Sequence, residues 1–221
     1  KLVVIAPDLS PTTAHADFWI NLRPESDPAF GLAAAQVMIS EKLYKLDYLL
    51  EQTDFPFLVR KDNQRFLRAS DVVKGGDENA LYIWDEATKN IVIAPGCMGD
   101  GDGGRILKLG NIKPALSGAR SIKLADGSTV ECETVFDKLK AKLDKEYTPE
   151  QSAKVTNLHP NVIRTFAREM AAAKSSMIFA SWGACKHYHS DLFQRAMALL
   201  MDLTGNQGKQ GGGVRIAAWW G

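Results

Sequence analysis

Apolar positions in this chain fall into three patterns, and each marks a different kind of element. Leu2-Val3-Val4-Ile5-Ala6 and Met177-Ile178-Phe179-Ala180 are short, unbroken apolar runs. Such runs belong to strands covered on both faces, as in parallel sheets. Asp17-Phe18-Trp19-Ile20-Asn21-Leu22 alternates well enough to add another short strand. Helical spacing appears in Phe30, Ala33, Ala34, Val37 and Met38, where Pro28 suits the first helical position and Asp27 the cap before it. It continues from Glu41 to Glu51 in a second helix, stopped by Thr53-Asp54-Phe55-Pro56, and returns in Val135, Phe136, Leu139 and Leu143. Thr148-Pro149-Glu150-Gln151 is a capping box, and His159-Pro160 opens a helix burying Val162, Ile163, Phe166, Ala167 and Met170. A last helix spans residues 190–203, with Ser190 or Asp191 as its cap and Gly205 as its stop.

The third pattern is the hairpin. Residues 57–60 and 65–68, then 81–84 and 91–94, then 122–124 and 129–132 read as strand pairs, the last across Asp126-Gly127. Residues 53–132 are therefore expected to be a β-rich, loop-containing insertion between two α/β portions. The expected fold class is α/β: a mostly parallel sheet flanked by helices, residues 1–221 forming a single domain that carries the insertion.

Composition narrows the function classes. The 221 residues are 45% hydrophobic and 24% charged, and the formal charge is +1. That balance gives no reason to expect nucleic acid or a membrane surface as partner, and no apolar run approaches the roughly 18 residues of a membrane span. Cys97, Cys132 and Cys185 match no zinc or iron–sulfur spacing. The stretch from Gly96 to Gly104 lacks both the lysine of a phosphate loop and the acidic spacing of a calcium loop, and reads as a surface loop.

Candidate chemistry collects at strand ends. Open α/β sheets bind ligands beyond the carboxyl ends of their strands, and a helix amino terminus there suits phosphate. Trp182-Gly183-Ala184-Cys185-Lys186-His187-Tyr188-His189 fills such a position between the Met177 strand and the residue-190 helix. Neighbouring residues on an extended loop point in different directions, which argues against a metal site or a Cys–His nucleophile built from it alone. Lys186 is the candidate catalytic residue, able to donate to a developing oxyanion or to grip a phosphate. Asp8, just past the first strand, can accept from ribose hydroxyls or cap a turn. Asp27, before Pro28, reads locally as a helix cap.

These stretches carry a resemblance. Ala6-Pro7-Asp8-x-Ser10-Pro11-Thr12, Ser26-Asp27, the Gly183 loop with Tyr188-His189-x-Asp191, and Leu203-Thr204-Gly205-Asn206-x-Gly208-Lys209-x-Gly211-Gly212-Gly213 resemble the molybdopterin oxidoreductases of dimethyl-sulfoxide-reductase type. The similarity is to the nitrate reductase and ethylbenzene dehydrogenase branch. It implies a Rossmann-like fold and an internal, pterin-dinucleotide-binding domain of a catalytic alpha subunit, inactive alone. The implied cofactor is molybdenum bis(molybdopterin guanine dinucleotide), with an iron–sulfur cluster and the molybdenum ligand elsewhere in the parent chain. By the same resemblance Asp8, Ser10, Thr12, Ser26, Asp27, Trp182, Gly183, Ala184 and His187 bind the cofactor. Implied partners are the remaining domains of the subunit, an iron–sulfur beta subunit, in some cases a haem gamma subunit, and a small-molecule substrate, in the bacterial periplasm or alternatively the cytoplasm. Two departures stand out. Glu25 occupies the place of the family's glycine in Pro-Gly-Ser/Thr-Asp, and Cys185-Lys186 replaces the Asn-His of nitrate reductases. The second departure points toward anaerobic C–H hydroxylation with water as oxygen source, with oxyanion reduction (nitrate, selenate or chlorate) and a non-catalytic nucleotide-binding module as alternatives.

Overall fold

The computed structural model describes residues 1–96, 109–180 and 182–216, the side chains of residues 184 and 185 excepted. The glycine-rich loop from Cys97 onward and Trp219-Trp220 lie outside the described residues. In chain order the elements are β1 (Val3–Ile5), α1 (Pro11–Ala14), β2 (Phe18–Ile20), α2 (Asp27–Ser40), α3 (Leu46–Gln52) and β3 (Leu58–Arg60). Next come α4 (Ala69–Val72), β4 (Tyr82–Asp85), β5 (Asn90–Ile93), β6 (Arg120–Lys123) and β7 (Thr129–Thr134). The chain continues through α5 (Val135–Glu146), α6 (Pro149–Thr156), α7 (Pro160–Ala172), β8 (Met177–Ala180), α8 (Ser190–Leu203) and β9 (Gly213–Ile216). Two compact units result, Lys1–Lys45 with Lys142–Gly221, and Leu46–Ala141.

The first unit holds the parallel pairing that the apolar runs predict. β1 pairs parallel with β2 in the register Val3↔Phe18 to Ile5↔Ile20, and β8 with β9 from Met177↔Gly213 to Ala180↔Ile216. Parallel neighbours need a crossover, supplied by the α1 segment in one pair and α8 in the other. At the centre lies α2, apolar around nearly its whole circumference, which packs against α6, α7 and α8. A Cβ at Gly31 would stand 2.9 Å from the Ala196 Cβ, so a side chain there would push α2 off α8. Phe30 meets Phe166 of α7 with ring centroids 4.9 Å apart. The cover expected on both faces of the Met177 strand is incomplete: Met177 and Phe179 are exposed.

Caps and boundaries differ in places from the sequence reading. Asp27 is the first residue of α2 rather than its cap, and Ser26 precedes it with its hydroxyl donating to the Arg23 carbonyl at 2.5 Å. His189, not Ser190 or Asp191, stands at the cap position of α8, in the left-handed region at φ 62°. The second helix begins only at Leu46, because Lys42 takes a left-handed φ of 55° that ends any continuation from α2. The Thr148/Gln151 capping box is present, and the His159 imidazole Nδ1 accepts from the Asn161 amide.

The second unit is antiparallel. β7 lies between β3 and β6, and β4 pairs with β5. Residues 57–60 and 65–68 meet at the bridge Val59↔Phe66, with Arg60 N–H to Arg65 carbonyl and Leu67 N–H to Leu58 carbonyl both at 2.8 Å, while β7 takes the other edge of β3. Leu58, Leu67, Tyr82, Ile83, Ile122, Val130 and Cys132 form its core. Asp85, buried at the β4–β5 turn, accepts from the Ala87, Thr88 and Lys113 amides and the Thr88 hydroxyl. These donors hold its carboxyl below the ordinary 3.8.

Candidate functional site

Strand polarity decides where the candidate residues lie. Because β1 and β2 run parallel, Asp8 and Asp27 both leave from carboxyl ends of neighbouring strands, which the Ala6 N–H to Ile20 carbonyl bond of 3.2 Å holds together. The Trp182–Lys186 3-10 turn leaves from the carboxyl end of β8.

The first loop is internally braced. Ser10 and Thr13 form a capping box on α1, each side chain bonded to the other's backbone amide. The Trp19 indole N–H donates to the Ala6 carbonyl at 2.9 Å and steadies the turn out of β1. Asp8 and Thr12 stay exposed, with carboxylate and hydroxyl open to a ligand, whereas Ser10 acts through the shape of the loop.

The other two loops come together. His187 Nδ1 lies 3.3 Å from Glu25 Oε1, an ion pair when the ring is protonated. Asp27, one residue beyond the buried Ser26, is half-buried. Burial pushes its carboxyl above the ordinary 3.8, while its own amide and the nearby His187 pull it down. The Lys186 ammonium is exposed and sits 5.3 Å from the centroid of the Trp182 ring, within cation–π range. Gly183 is exposed in the same turn, and a Cβ there would meet open space. Ala184 and Cys185 occupy the turn too, but their side chains lie outside the described residues. Asp27, Trp182, Lys186 and His187 are thus carried on two loops joined through Glu25. Glu25 was legible only as a departure from the family's glycine, with no signal of its partner.

Elsewhere the chain offers less. Cys132 is buried, and burial pushes its thiol to about 11, so it is no nucleophile. A surface groove of about 500 Å³ in the second unit contains none of the candidate residues, and its Arg60 is spent on Asp62 and Asp71. Among the described residues no group of three or more His, Cys, Asp or Glu could hold a metal, and no helix is long and apolar enough to cross a membrane.

The glycine-rich run after α8 is architectural. Asn206 is buried and accepts from the Ser176 amide while donating to the Ser176 and Thr204 hydroxyls, tying the end of α8 to the start of β8. Gly212 passes so close that a Cβ would stand 2.5 Å from the Asn206 carbonyl oxygen. The run holds β9 beside β8 and thereby sets the strand end from which the Trp182 turn departs.

Strand ends, parallel crossovers and half-buried acceptors define an α/β protein of the kind that seats a ligand beyond its strands' carboxyl ends. The fold is similar to that of acetylene hydratase from Pelobacter acetylenicus, with a TM-score of 0.52 and 17% identity over 93% of this chain and 17% of that one. The chain belongs to the molybdopterin oxidoreductase family, whose model matches residues 1–217. It is 42% identical to the perchlorate reductase alpha subunit of Dechloromonas aromatica, covering 99% of this chain and 26% of that one. The chlorate reductase alpha subunit of Ideonella dechloratans is 37% identical and the dimethylsulfide dehydrogenase alpha subunit of Rhodovulum sulfidophilum 34%, each over 96% of this chain and 22% of its own length. The chain therefore spans about a quarter of the length of these relatives.

Proposed function

We propose that this chain is the pterin-dinucleotide-binding domain of the catalytic subunit of a molybdenum oxyanion reductase acting on a chlorate-like substrate. The observation that supports this reading most is the 42% and 37% identity to perchlorate and chlorate reductase alpha subunits over nearly the whole chain. It favours the oxyanion alternative over C–H hydroxylation. Residues 1–221 are read as one domain, with 53–132 as its insertion.

The residues suit the group. A half-buried carboxylate whose burial disfavours its charge gains from paired N–H donors, and the guanine edge supplies two. Asp27 would hold the base of a guanine dinucleotide, and Asp8 and Thr12 would take ribose or phosphate hydroxyl and oxygen contacts. Ser10 and Ser26 would shape the loops that present them. The molybdenum–pterin group, when bound, supplies two-electron oxygen-atom chemistry. Lys186, exposed on the Trp182 turn, would draw in and orient an anionic substrate through its ammonium. By the resemblance, the parent is proposed to be periplasmic and to exchange electrons through iron–sulfur clusters, including those of a beta subunit.

The test uses the purified parent enzyme. Reduction of chlorate, perchlorate and nitrate with a reduced viologen dye is measured beside hydroxylation of an alkylbenzene, with molybdenum and acid-released guanine nucleotide quantified. Chlorate or perchlorate turnover with stoichiometric guanine nucleotide is expected. Alkylbenzene hydroxylation without oxyanion turnover would overturn the reading.

A further inference from the structure

Glu25 combines two costs. Its φ of 73° lies in the left-handed region, which a residue with a Cβ adopts only at a cost in backbone strain. It is also the third residue of the tight Arg23-Pro24-Glu25-Ser26 turn, closed by the Ser26 amide to the Arg23 carbonyl at 3.2 Å. Glycine would take that φ without penalty. A glutamate held there needs a compensating contact, and one is present: its carboxylate faces His187, on the loop beyond β8, at 3.3 Å. Asp27, on the same loop as Glu25, is also close enough to His187 to feel its charge.

We propose that Glu25 and His187 are positioning residues that latch the loop after β2 to the loop after β8, fixing the direction in which Asp27 faces the dinucleotide. The latch joins two residues 162 apart in sequence, each on a loop beyond a different parallel pair of strands. It rests on the dinucleotide reading above. Neither residue needs to touch the reacting atoms. When its ring is protonated, His187 also opposes the effect of burial on Asp27 and favours the ionised form that accepts from N–H donors.

The experiment compares E25Q, H187Q, the double variant and E25G in the full parent holoenzyme. The readout is the rate at which guanine nucleotide and molybdenum leave the protein into cofactor-free buffer. A partly exposed pair contributes up to about 1 kcal/mol, which is roughly a fivefold change. E25Q and H187Q should each speed release about three- to fivefold, and the double variant should be no faster than the faster single one, as expected for one shared contact. E25G separates positioning from folding, since it should raise the thermal midpoint by relieving the backbone while releasing cofactor as fast as E25Q. Wild-type retention in E25G, or single effects that multiply in the double variant, would overturn the latch and leave the dinucleotide reading standing. A wild-type holoenzyme with no guanine nucleotide would overturn both.

Discussion

The half-buried carboxyl of Asp27 costs the unliganded fold stability when it is ionised. Burial raises its carboxyl above the ordinary 3.8, so its contribution to stability is fully present below that value and is lost as pH rises through the raised one. Asp27→Asn should therefore stabilise the ligand-free protein at neutral pH, the gain growing as pH rises through the folded-state value, as thermal melts across pH would show. The same change should weaken dinucleotide retention, since each charge-assisted bond contributes about 1.5–3 kcal/mol. Retention equal to wild type would remove Asp27 from the site. Lys186 makes the opposite case: it is exposed, stacked on Trp182, and has no burial to overcome. Lys186→Met should lower turnover of the parent enzyme about 10²–10³-fold with molybdenum content near normal, the range for losing one preorganised donor. Full activity per molybdenum would exclude the role and return Lys186 to a phosphate contact.

At the scale of elements, the glycine run and the β4–β5 turn show how much depends on backbone groups. Gly212→Ala would press a methyl against the Asn206 backbone carbonyl oxygen, which accepts from the Lys209 amide in a residue whose side chain is itself tied to Ser176 and Thr204. Overpacking of this kind costs about 1–3 kcal/mol, and chemical denaturation of the purified chain should show it; an unchanged midpoint would mean that the run can shift. Asp85→Ala should lower the thermal midpoint by several degrees by stripping four donors of their acceptor. Because those donors hold the carboxyl below 3.8, the stability it contributes is present above that pH and fades as pH falls through the lowered value. Wild type and variant should accordingly converge in acid.

For the whole molecule, the 221 residues span about a quarter of the length of the relatives they match, and no described cluster can hold a metal. The chain expressed alone is expected to show no chlorate reduction with a reduced viologen dye under conditions where the parent turns over. Turnover by the chain alone would place the whole reaction centre within it.

The sequence by itself determined the parts that local physics governs. Unbroken apolar runs gave β1 and β8, helical spacing gave α2, α7 and α8, and the Thr148/Gln151 pair gave a helix start, because periodicity and capping are nearest-neighbour properties. Asp126-Gly127 marked the β6–β7 turn for the same reason. Asp27 and the loop after β8 were legible as candidates from strand-end position and resemblance. Only the tertiary structure decided that β3, beyond its local bridge to Phe66, pairs with β7, since long-range pairing is set by what the whole sheet buries. It alone showed that Ser26 turns inward to Arg23, that Cys132 lies in a core, and that a glutamate in a glycine's conformation meets an imidazole from the loop after β8, 162 residues on. A side chain's partner across such a distance depends on how the intervening helices pack, and no local pattern encodes that.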